Sequence, residues 1–188
     1  MNALRALVVA VLALVVSPTL DVCCAWNSAL ADGDLTYKIS GGDATAQATV
    51  RAAIENWQLV PGLTLTEVTG RTKANIEVKF KKGGGRIAGM ALRKFDGDGF
   101  ITSISLSISG SAFGSPSNQA TIAEIVRHEM GHALGLGHAN FDDLMDPWVG
   151  GANVISACDV AGVQEANHWK LVDLEVTPHI PHVTSVSC

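Results

Sequence analysis

The sequence has few of the features that mark a nucleic-acid-binding or membrane-embedded protein. Its 188 residues include 13 Lys and Arg against 18 Asp and Glu, and aromatic residues make up only 5%. No basic stretch is interleaved with aromatic side chains, so we expect no nucleic-acid partner. The chain also lacks internal repeats and long low-complexity segments. A chain of this length without repeats is predicted to form one domain with a substantial hydrophobic core.

Long apolar runs are equally scarce, because only residues 6–16 form one. Arg5 precedes this run and small residues follow it, which is the layout of a secretory signal peptide. The run is short for a membrane span. We place the signal peptide at residues 1–25, with residues 29–31 as an alternative cleavage motif and a retained N-terminal anchor left open. No other stretch could cross a membrane, so we expect a secreted protein without a membrane span.

The chain contains four cysteines. Cys23 and Cys24 would leave with the signal peptide, so only Cys158 and Cys188 would remain. Two cysteines in an exported chain allow one pairing, and an oxidising compartment favours a disulfide between Cys158 and Cys188. Two free thiols are the alternative.

The spacing of apolar residues predicts a mixed α+β domain at residues 26–170, followed by an extended tail at residues 171–188. Strands are predicted at residues 36–39, 63–68, 75–81, 86–94 and 103–109. Three helices are predicted. The first is capped by Asp43 or Thr45 and runs to about residue 59, the second runs from a capping box at residues 121–124 through the histidine-rich stretch, and the third runs from a capping box at residues 156–159 to about residue 167.

Residues 96–99 read Asp-Gly-Asp-Gly, which favours a tight turn between two strands. Neighbouring aspartates are also found in calcium sites, but the later acidic ligands of an EF-hand loop are missing. We therefore predict a plain hairpin turn and keep Ca²⁺ only as the alternative.

The residues from His128 to His138 read H-E-M-G-H-A-L-G-L-G-H. Residues four apart share one helix face, so His128 and His132 can offer two imidazoles to one metal ion. Glu129 lies about 100° round the helix, close to that ion without being aligned with the pair. This placement suits a general base that acts on a water molecule at the metal.

His138 can join the other two histidines only if the helix ends before it. A continued helix would point it roughly 240° away and place it ~9 Å further along the axis. Gly135 is where a break costs least, because glycine accepts a positive φ. Three imidazoles leave one tetrahedral zinc position open, which is typical of a catalytic site and not of a structural one.

A bare H-E-x-x-H also occurs on amphipathic helices, and a glycine-rich core helix with hydrogen-bonded histidines is the alternative interpretation. The third histidine after the glycine is hard to explain in that way. The extended H-E-x-x-H-x-x-G-x-x-H pattern is a signature of the metzincins. We therefore expect His128, His132 and His138 to bind one catalytic Zn²⁺ ion, with Glu129 as the catalytic base.

With this motif the sequence resembles the metzincin zinc peptidases and, among them, the matrixins. The resemblance covers most of residues 34–169 and includes, outside the motif, residues 35–37, 50–57, 63–68, 76–80, 144–147 and 156–164. It implies a zincin-like catalytic domain, in which two helices back a twisted, mainly parallel sheet with an antiparallel edge strand. One of these is the active-site helix, and a small C-terminal subdomain follows it.

The resemblance also implies roles for residues around the motif. Met145 matches the methionine turn that forms a hydrophobic floor beneath the zinc in this family. Ile87 and Ala88 match the edge strand that pairs with an extended peptide substrate. Pro147 and Trp148 are expected on the substrate-binding side, with Trp148 as a wall of the specificity pocket.

Some positions depart from the family pattern. Ala139 stands where many matrixins have a serine, and Gly89 stands where several have a histidine for a second zinc. No histidine precedes His128, so we expect one zinc ion per chain. His179 and His182 lie in the tail and are expected to be solvated.

These observations predict a secreted, monomeric, zinc-dependent metalloendopeptidase that acts on an extended peptide or protein substrate. The alternative is a zinc-containing module that binds a peptide or a partner without cleaving it. Glu129 argues against that alternative, because a pure binding site has no need of this carboxylate. Hydrolysis of a substrate other than protein is a third hypothesis.

Overall fold

The computed structural model of the chain describes residues 17–81, 88–109, 119–148, 153–181 and 183–188. The strands in these ranges are β1 (Thr19–Val22), β2 (Asp34–Ser40), β3 (Thr64–Glu67), β4 (Ile76–Lys81), β5 (Gly89–Phe95), β6 (Ile101–Ser109), β7 (Leu136–Ala139) and β8 (Ser185–Ser187). The α-helices are α1 (Ala44–Glu55), α2 (Gln119–Ala133), α3 (Ala157–Ala166) and α4 (His168–Leu171).

Five strands form the main sheet in the order β3-β2-β4-β6-β5. Strand β2 pairs in parallel with β3 and β4, β4 pairs in parallel with β6, and β5 runs antiparallel along the edge. Alternating apolar residues are buried as the sequence predicts, among them Ile76 and Val78 in β4 and Leu106 in β6. The predicted mixed sheet with an antiparallel edge strand is therefore confirmed.

Helix α2 packs against α1 on one side and against β5 and β6 on another. Asp43 caps α1, as its sequence predicts, by accepting a hydrogen bond of 2.8 Å from Ala46 N. The buried Trp57 follows α1 and donates its indole N–H to the carbonyl of Arg127 in α2 at 3.1 Å. Helix α2 is therefore fixed between a second helix and the edge of the sheet.

The two predicted capping boxes have different outcomes. Helix α2 begins at Gln119, so the prediction that Thr121 caps it is wrong. Gln119 and Ala120 are good helix formers and extend the helix past that threonine. The capping box of α3 is confirmed, because Ser156 Oγ accepts from Asp159 N at 3.1 Å and Asp159 Oδ2 accepts from Ser156 N at 2.8 Å.

The predicted turn at residues 96–99 is also confirmed. Asp96 Oδ1 accepts hydrogen bonds from Asp98 N at 3.1 Å and from Phe100 N at 2.9 Å. Gly99 has a φ of 88°, which glycine adopts without strain. Backbone amides of the turn thus bind this carboxylate oxygen, which explains Asp96 without a metal ion.

A second, antiparallel sheet has the order β7-β1-β8. In β1, Leu20 pairs with Ala139 and Val22 pairs with Leu136, and both β1 side chains are buried. Strand β8 pairs along the other side of β1. Strand β1 therefore supports β7 directly, and β8 supports β7 only through β1.

The segment after β1 is packed equally tightly. Trp26 is fully buried and donates its indole N–H to the carbonyl of Ala133 at 2.8 Å. Cleavage after Ala25 stays a prediction, and its structural consequence would be the loss of β1 from the second sheet. No helix in the described part of the chain is long and apolar enough to cross a membrane.

Two disulfides join the four cysteines. Cys158 in α3 is bonded to Cys188, which ties the end of the tail to that helix. Cys23 and Cys24, which the sequence assigns to a removable segment, are bonded to each other.

Candidate metal centre

Three histidines converge where α2 ends and β7 returns, and we refer to His128, His132 and His138 as the His triad. Their ring centroids are 4.7, 5.5 and 4.8 Å apart. One ligand nitrogen from each ring lies within 4.8 Å of the others. The chain reverses at Gly135, whose φ of 104° is the positive value that the sequence predicts for a break at this position.

Backbone carbonyls orient two of these rings. His128 Nδ1 lies 2.8 Å from the carbonyl oxygen of Leu144, and His132 Nδ1 lies 3.0 Å from that of Leu136. A carbonyl can only accept, so each Nδ1 carries the proton and each Nε2 keeps its lone pair. This is how metal-ligating histidines are commonly held.

The surroundings also keep the rings of His128 and His132 uncharged. Burial lowers the pKa of His132 to about 3, and the hydrogen bond with the Leu136 carbonyl opposes this only in part. Burial likewise lowers the pKa of His128. His138 is exposed, so the triad faces solvent on one side. Neutral imidazole nitrogens that are already oriented, with an open side, fit a catalytic zinc ion.

Glu129 is enclosed between α2 and the edge strand β5. A Cβ atom added at Gly89 would lie 2.5 Å from Glu129 Oε1 and 2.7 Å from its Cγ, so the carboxylate occupies the space that a side chain there would need. Burial raises the pKa of Glu129 to about 7, while a hydrogen bond from the Ala91 backbone and the charge of Arg93 act in the opposite direction. A carboxyl group with this pKa can take up and release a proton near neutral pH.

Arg93 supports the site from β5, and the sequence reading missed it. Its Nε donates to the carbonyl of His132 at 2.8 Å, and its Nη2 donates to that of Leu136 at 2.6 Å. The guanidinium therefore joins the end of α2 to the start of β7, on either side of the break. The sequence carried no signal for this role, because β5 exposes the apolar Met90 and Leu92 and turns Arg93 inward, the reverse of what apolar alternation predicts.

Asp143 is a second residue that the sequence reading missed. Its Oδ1 accepts from Leu144 N at 2.8 Å, and its Oδ2 accepts from Ser156 Oγ at 2.8 Å. These bonds connect the segment that carries the Leu144 carbonyl to the cap of α3. Asp143 thereby helps to place the carbonyl that orients His128.

Met145, which the family resemblance assigns to the methionine turn, lies between the His triad and α3 in the sequence. Its side chain is fully buried, and its Sδ contacts the position that a Cβ on Gly131 would occupy. Its carbonyl accepts from Ala139 N at 2.9 Å, next to His138. The methionine therefore packs directly against α2.

The residues expected to contact a substrate differ in how far the structure describes and buries them. Ala88 is half-buried just before β5, and its carbonyl accepts from Ser109 N at 2.9 Å. Ile87 lies outside the described residues. Pro147 is exposed, and the side chain of Trp148 is 83% exposed, so the structure does not show a pocket wall at this tryptophan.

The segment that carries this site is similar to a known protein family. The sequence profile of the matrixin family matches residues 105–167, about a third of the chain, a segment that includes the His triad and Glu129. The match confirms the matrixin resemblance over this segment. No curated protein matches the chain.

Two solved structures of myroilysin are similar to the chain. One has a TM-score of 0.42 and 20% identity over 57% of this chain and 45% of that chain. The other has a TM-score of 0.41 and 21% identity over 57% of this chain and 43% of that chain. The chain thus spans less than half the length of either structure.

Proposed function

We propose that this chain, matrixin-like over residues 105–167, is an exported zinc-dependent endopeptidase that cleaves peptide bonds. The observation that carries the proposal is the convergence of three imidazoles, two of them oriented by backbone carbonyls, at the end of the helix that also carries the enclosed carboxylate of Glu129. His128, His132 and His138 would hold the zinc ion. When bound there, zinc lowers the pKa of a coordinated water to about 7 and polarises the scissile carbonyl.

Glu129 would perform the proton transfers. Its carboxylate takes a proton from the attacking water and delivers it to the leaving amine, and a pKa of about 7 suits both steps. The backbone N–H of Ala91 and the guanidinium of Arg93 oppose the effect of burial, so the carboxylate remains available as a base. Gly89 leaves the room in which that carboxylate sits.

The substrate would be an extended peptide that adds to the main sheet. Strand β5 is the last strand in the sheet order and pairs with β6 along one side only within the described residues. An unpaired edge of this kind binds a peptide through main-chain hydrogen bonds. Ile87 and Ala88 directly precede this strand in the sequence and would extend the peptide-binding edge, and Pro147 and Trp148 would border the cleft on the opposite side.

Export is supported by the covalent structure. The disulfide between Cys158 and Cys188 lies outside the predicted signal peptide and is typical of proteins in an oxidising compartment. The apolar run at residues 6–16 supplies a leader for export.

The experiment that tests this function is hydrolysis of a peptide library by the purified chain. We expect internal cleavage of unmodified peptides, loss of cleavage with a zinc chelator, and recovery when Zn²⁺ is added back. A His132→Ala variant is the matched control and should remain inactive after Zn²⁺ addition. Peptide binding without cleavage by the zinc-loaded wild type would instead establish a non-catalytic binding module.

A further inference from the structure

A second group of metal-binding side chains lies at the junction of α4 and the tail. It consists of His168, Asp173 and His179, which we call the tail cluster. His168 Nδ1 lies 2.9 Å from Asp173 Oδ2, and His179 Nε2 lies 3.5 Å from the same oxygen. One ligand atom from each of the three residues lies within 4.8 Å of the others, as in the His triad.

The backbone fixes two of these side chains. His168 is the first residue of α4, and its carbonyl accepts from Val172 N at 3.0 Å and from Asp173 N at 2.9 Å. These bonds turn the chain back so that the Asp173 side chain faces the imidazole. Trp169 and Leu171, both buried, anchor the short helix to the core.

The third side chain comes from a stiff part of the tail. Pro178 and Pro181 flank His179, and proline fixes φ near −65°. The distal end of the tail is held by the bond from Cys188 to Cys158. Holding His179 beside α4 therefore costs less conformational entropy than it would in a free tail.

The distances suit a metal ion as well as they suit hydrogen bonds. In a tetrahedral zinc site with bonds of about 2.0–2.1 Å, neighbouring ligand atoms are about 3.3 Å apart. The two separations that converge on Asp173 Oδ2, 2.9 and 3.5 Å, lie on either side of this value. An ion could take the place of the imidazole protons after small side-chain rotations, which these partly exposed residues can make.

The donor set indicates the kind of ion. Two imidazoles and a carboxylate favour Zn²⁺ or a neighbouring transition metal over Ca²⁺ and Mg²⁺, which prefer oxygen ligands. Asp173 Oδ2 already faces a nitrogen of each imidazole, so the carboxylate is placed to share one cation with both rings.

We propose that the tail cluster is a second, surface metal site in which His168, Asp173 and His179 bind Zn²⁺ and tie the tail to α4. The site is separate from the His triad, and it raises the expected content from one zinc ion per chain to two. It serves the attachment of the tail and takes no part in peptide cleavage.

The test is zinc stoichiometry of the full chain after equilibrium dialysis against micromolar free Zn²⁺. We expect two equivalents for the wild type and one for Asp173→Asn, which should keep its hydrolytic activity. Glu175→Gln removes an exposed carboxylate of the same tail outside the cluster and should retain two equivalents. Retention of both equivalents by Asp173→Asn, or one equivalent in the wild type, would overturn the proposal.

A second pair of variants separates this site from the proposed function. His132→Ala should keep the tail-cluster equivalent and lose the other, whereas His132→Ala combined with His168→Ala should keep none. The single variant should also show a rise in thermal midpoint on Zn²⁺ addition that the double variant lacks. An identical response of the two variants would count against the tail cluster, whatever the activity of the wild type.

Discussion

The His triad and the tail cluster differ in what holds their side chains. In the His triad, backbone carbonyls bind two Nδ1 atoms, burial keeps those rings neutral, and Arg93 joins the two backbone segments that carry them. In the tail cluster, the partners are the cluster's own carboxylate and a turn at the protein surface. The first arrangement frees ligand atoms for chemistry on an open side, whereas the second ties two segments of chain together.

The largest expected difference in hydrolysis rate is between a variant that loses one histidine of the His triad and a variant that loses one histidine of the tail cluster. His132→Ala should reduce peptide hydrolysis to background, a loss at least as large as the ~10²–10⁴-fold that a general base contributes. His168→Ala should leave the rate near that of the wild type, because its ring lies in the tail cluster. Initial rates on one peptide substrate, with metal content measured in parallel, check this contrast. Equal losses in the two variants would mean that the clusters are not functionally distinct.

A smaller loss of peptide hydrolysis is expected from Gly89→Ala. The added Cβ would lie 2.5 Å from Glu129 Oε1, so the carboxylate must move while the His triad keeps its hydrogen bonds. A displacement of about 1 Å can reduce a rate by about 10²-fold. Kinetic assays should show this loss with normal zinc content. Gly97→Ala is the control, since a Cβ at Gly97 meets no atom within 4 Å.

Removal of residues 17–25 tests how far the His triad depends on the second sheet. A chain that begins at Trp26 loses Leu20 and Val22 from the core, at ~1.5–3 kcal/mol each. We expect it to unfold roughly 3–6 kcal/mol more easily than a chain beginning at Ser17, and to bind zinc more weakly because β1 pairs with the strand of His138. Urea unfolding and zinc content measure both effects. Equal stability would show that β1 is dispensable.

The smallest expected effect is a change in how the free energy of unfolding depends on pH, and it arises from Asp159. This residue is linked to the His triad through Ser156 and Asp143. Burial raises the pKa of Asp159 from 3.8 to about 6, with a further contribution from Asp143. The native state therefore binds this proton more tightly than the unfolded chain does. Its contribution to stability is fully present below pH 4 and is lost, by roughly 2–3 kcal/mol, as the pH rises to about 6.

Asp159→Asn should flatten this part of the stability profile, because an amide oxygen can still accept from Ser156 N without carrying a charge. Urea unfolding at several pH values between 4 and 7 measures the slope. Asp142→Asn, at an exposed position, is the control and should preserve the slope. An unchanged slope in Asp159→Asn would refute the assignment.

The parts of the site that were predictable are those that depend on local spacing. The four-residue interval of His128 and His132, the break at Gly135 and the alternation of the sheet strands each follow from helix or strand geometry alone. The family resemblance added Met145. These features need no knowledge of which distant segments meet.

The features of the site that the sequence did not predict depend on contacts between distant segments. Arg93 acts on α2 and β7, about 40 residues further along the chain, and an arginine on an edge strand normally indicates a solvent-exposed position. Asp143 matters because Ser156 lies beside it in the fold. The segment containing β1 follows an apolar run, so its composition suggested a removable leader, and only its pairing with β7 shows it as part of the second sheet. In each case the role depends on which distant segment of the chain the residue contacts in the fold, and not on the residue type.

The central claim is that Glu129 transfers protons and does not bind the metal, and Glu129→Gln tests it most directly. Glutamine keeps the volume next to Gly89 but cannot accept the proton. Peptide hydrolysis should therefore fall by roughly 10²–10⁴-fold, while zinc content and thermal midpoint stay at the wild-type values. His128→Ala, measured alongside, should lose activity and zinc together. Near-normal hydrolysis by a zinc-loaded Glu129→Gln variant would contradict the account.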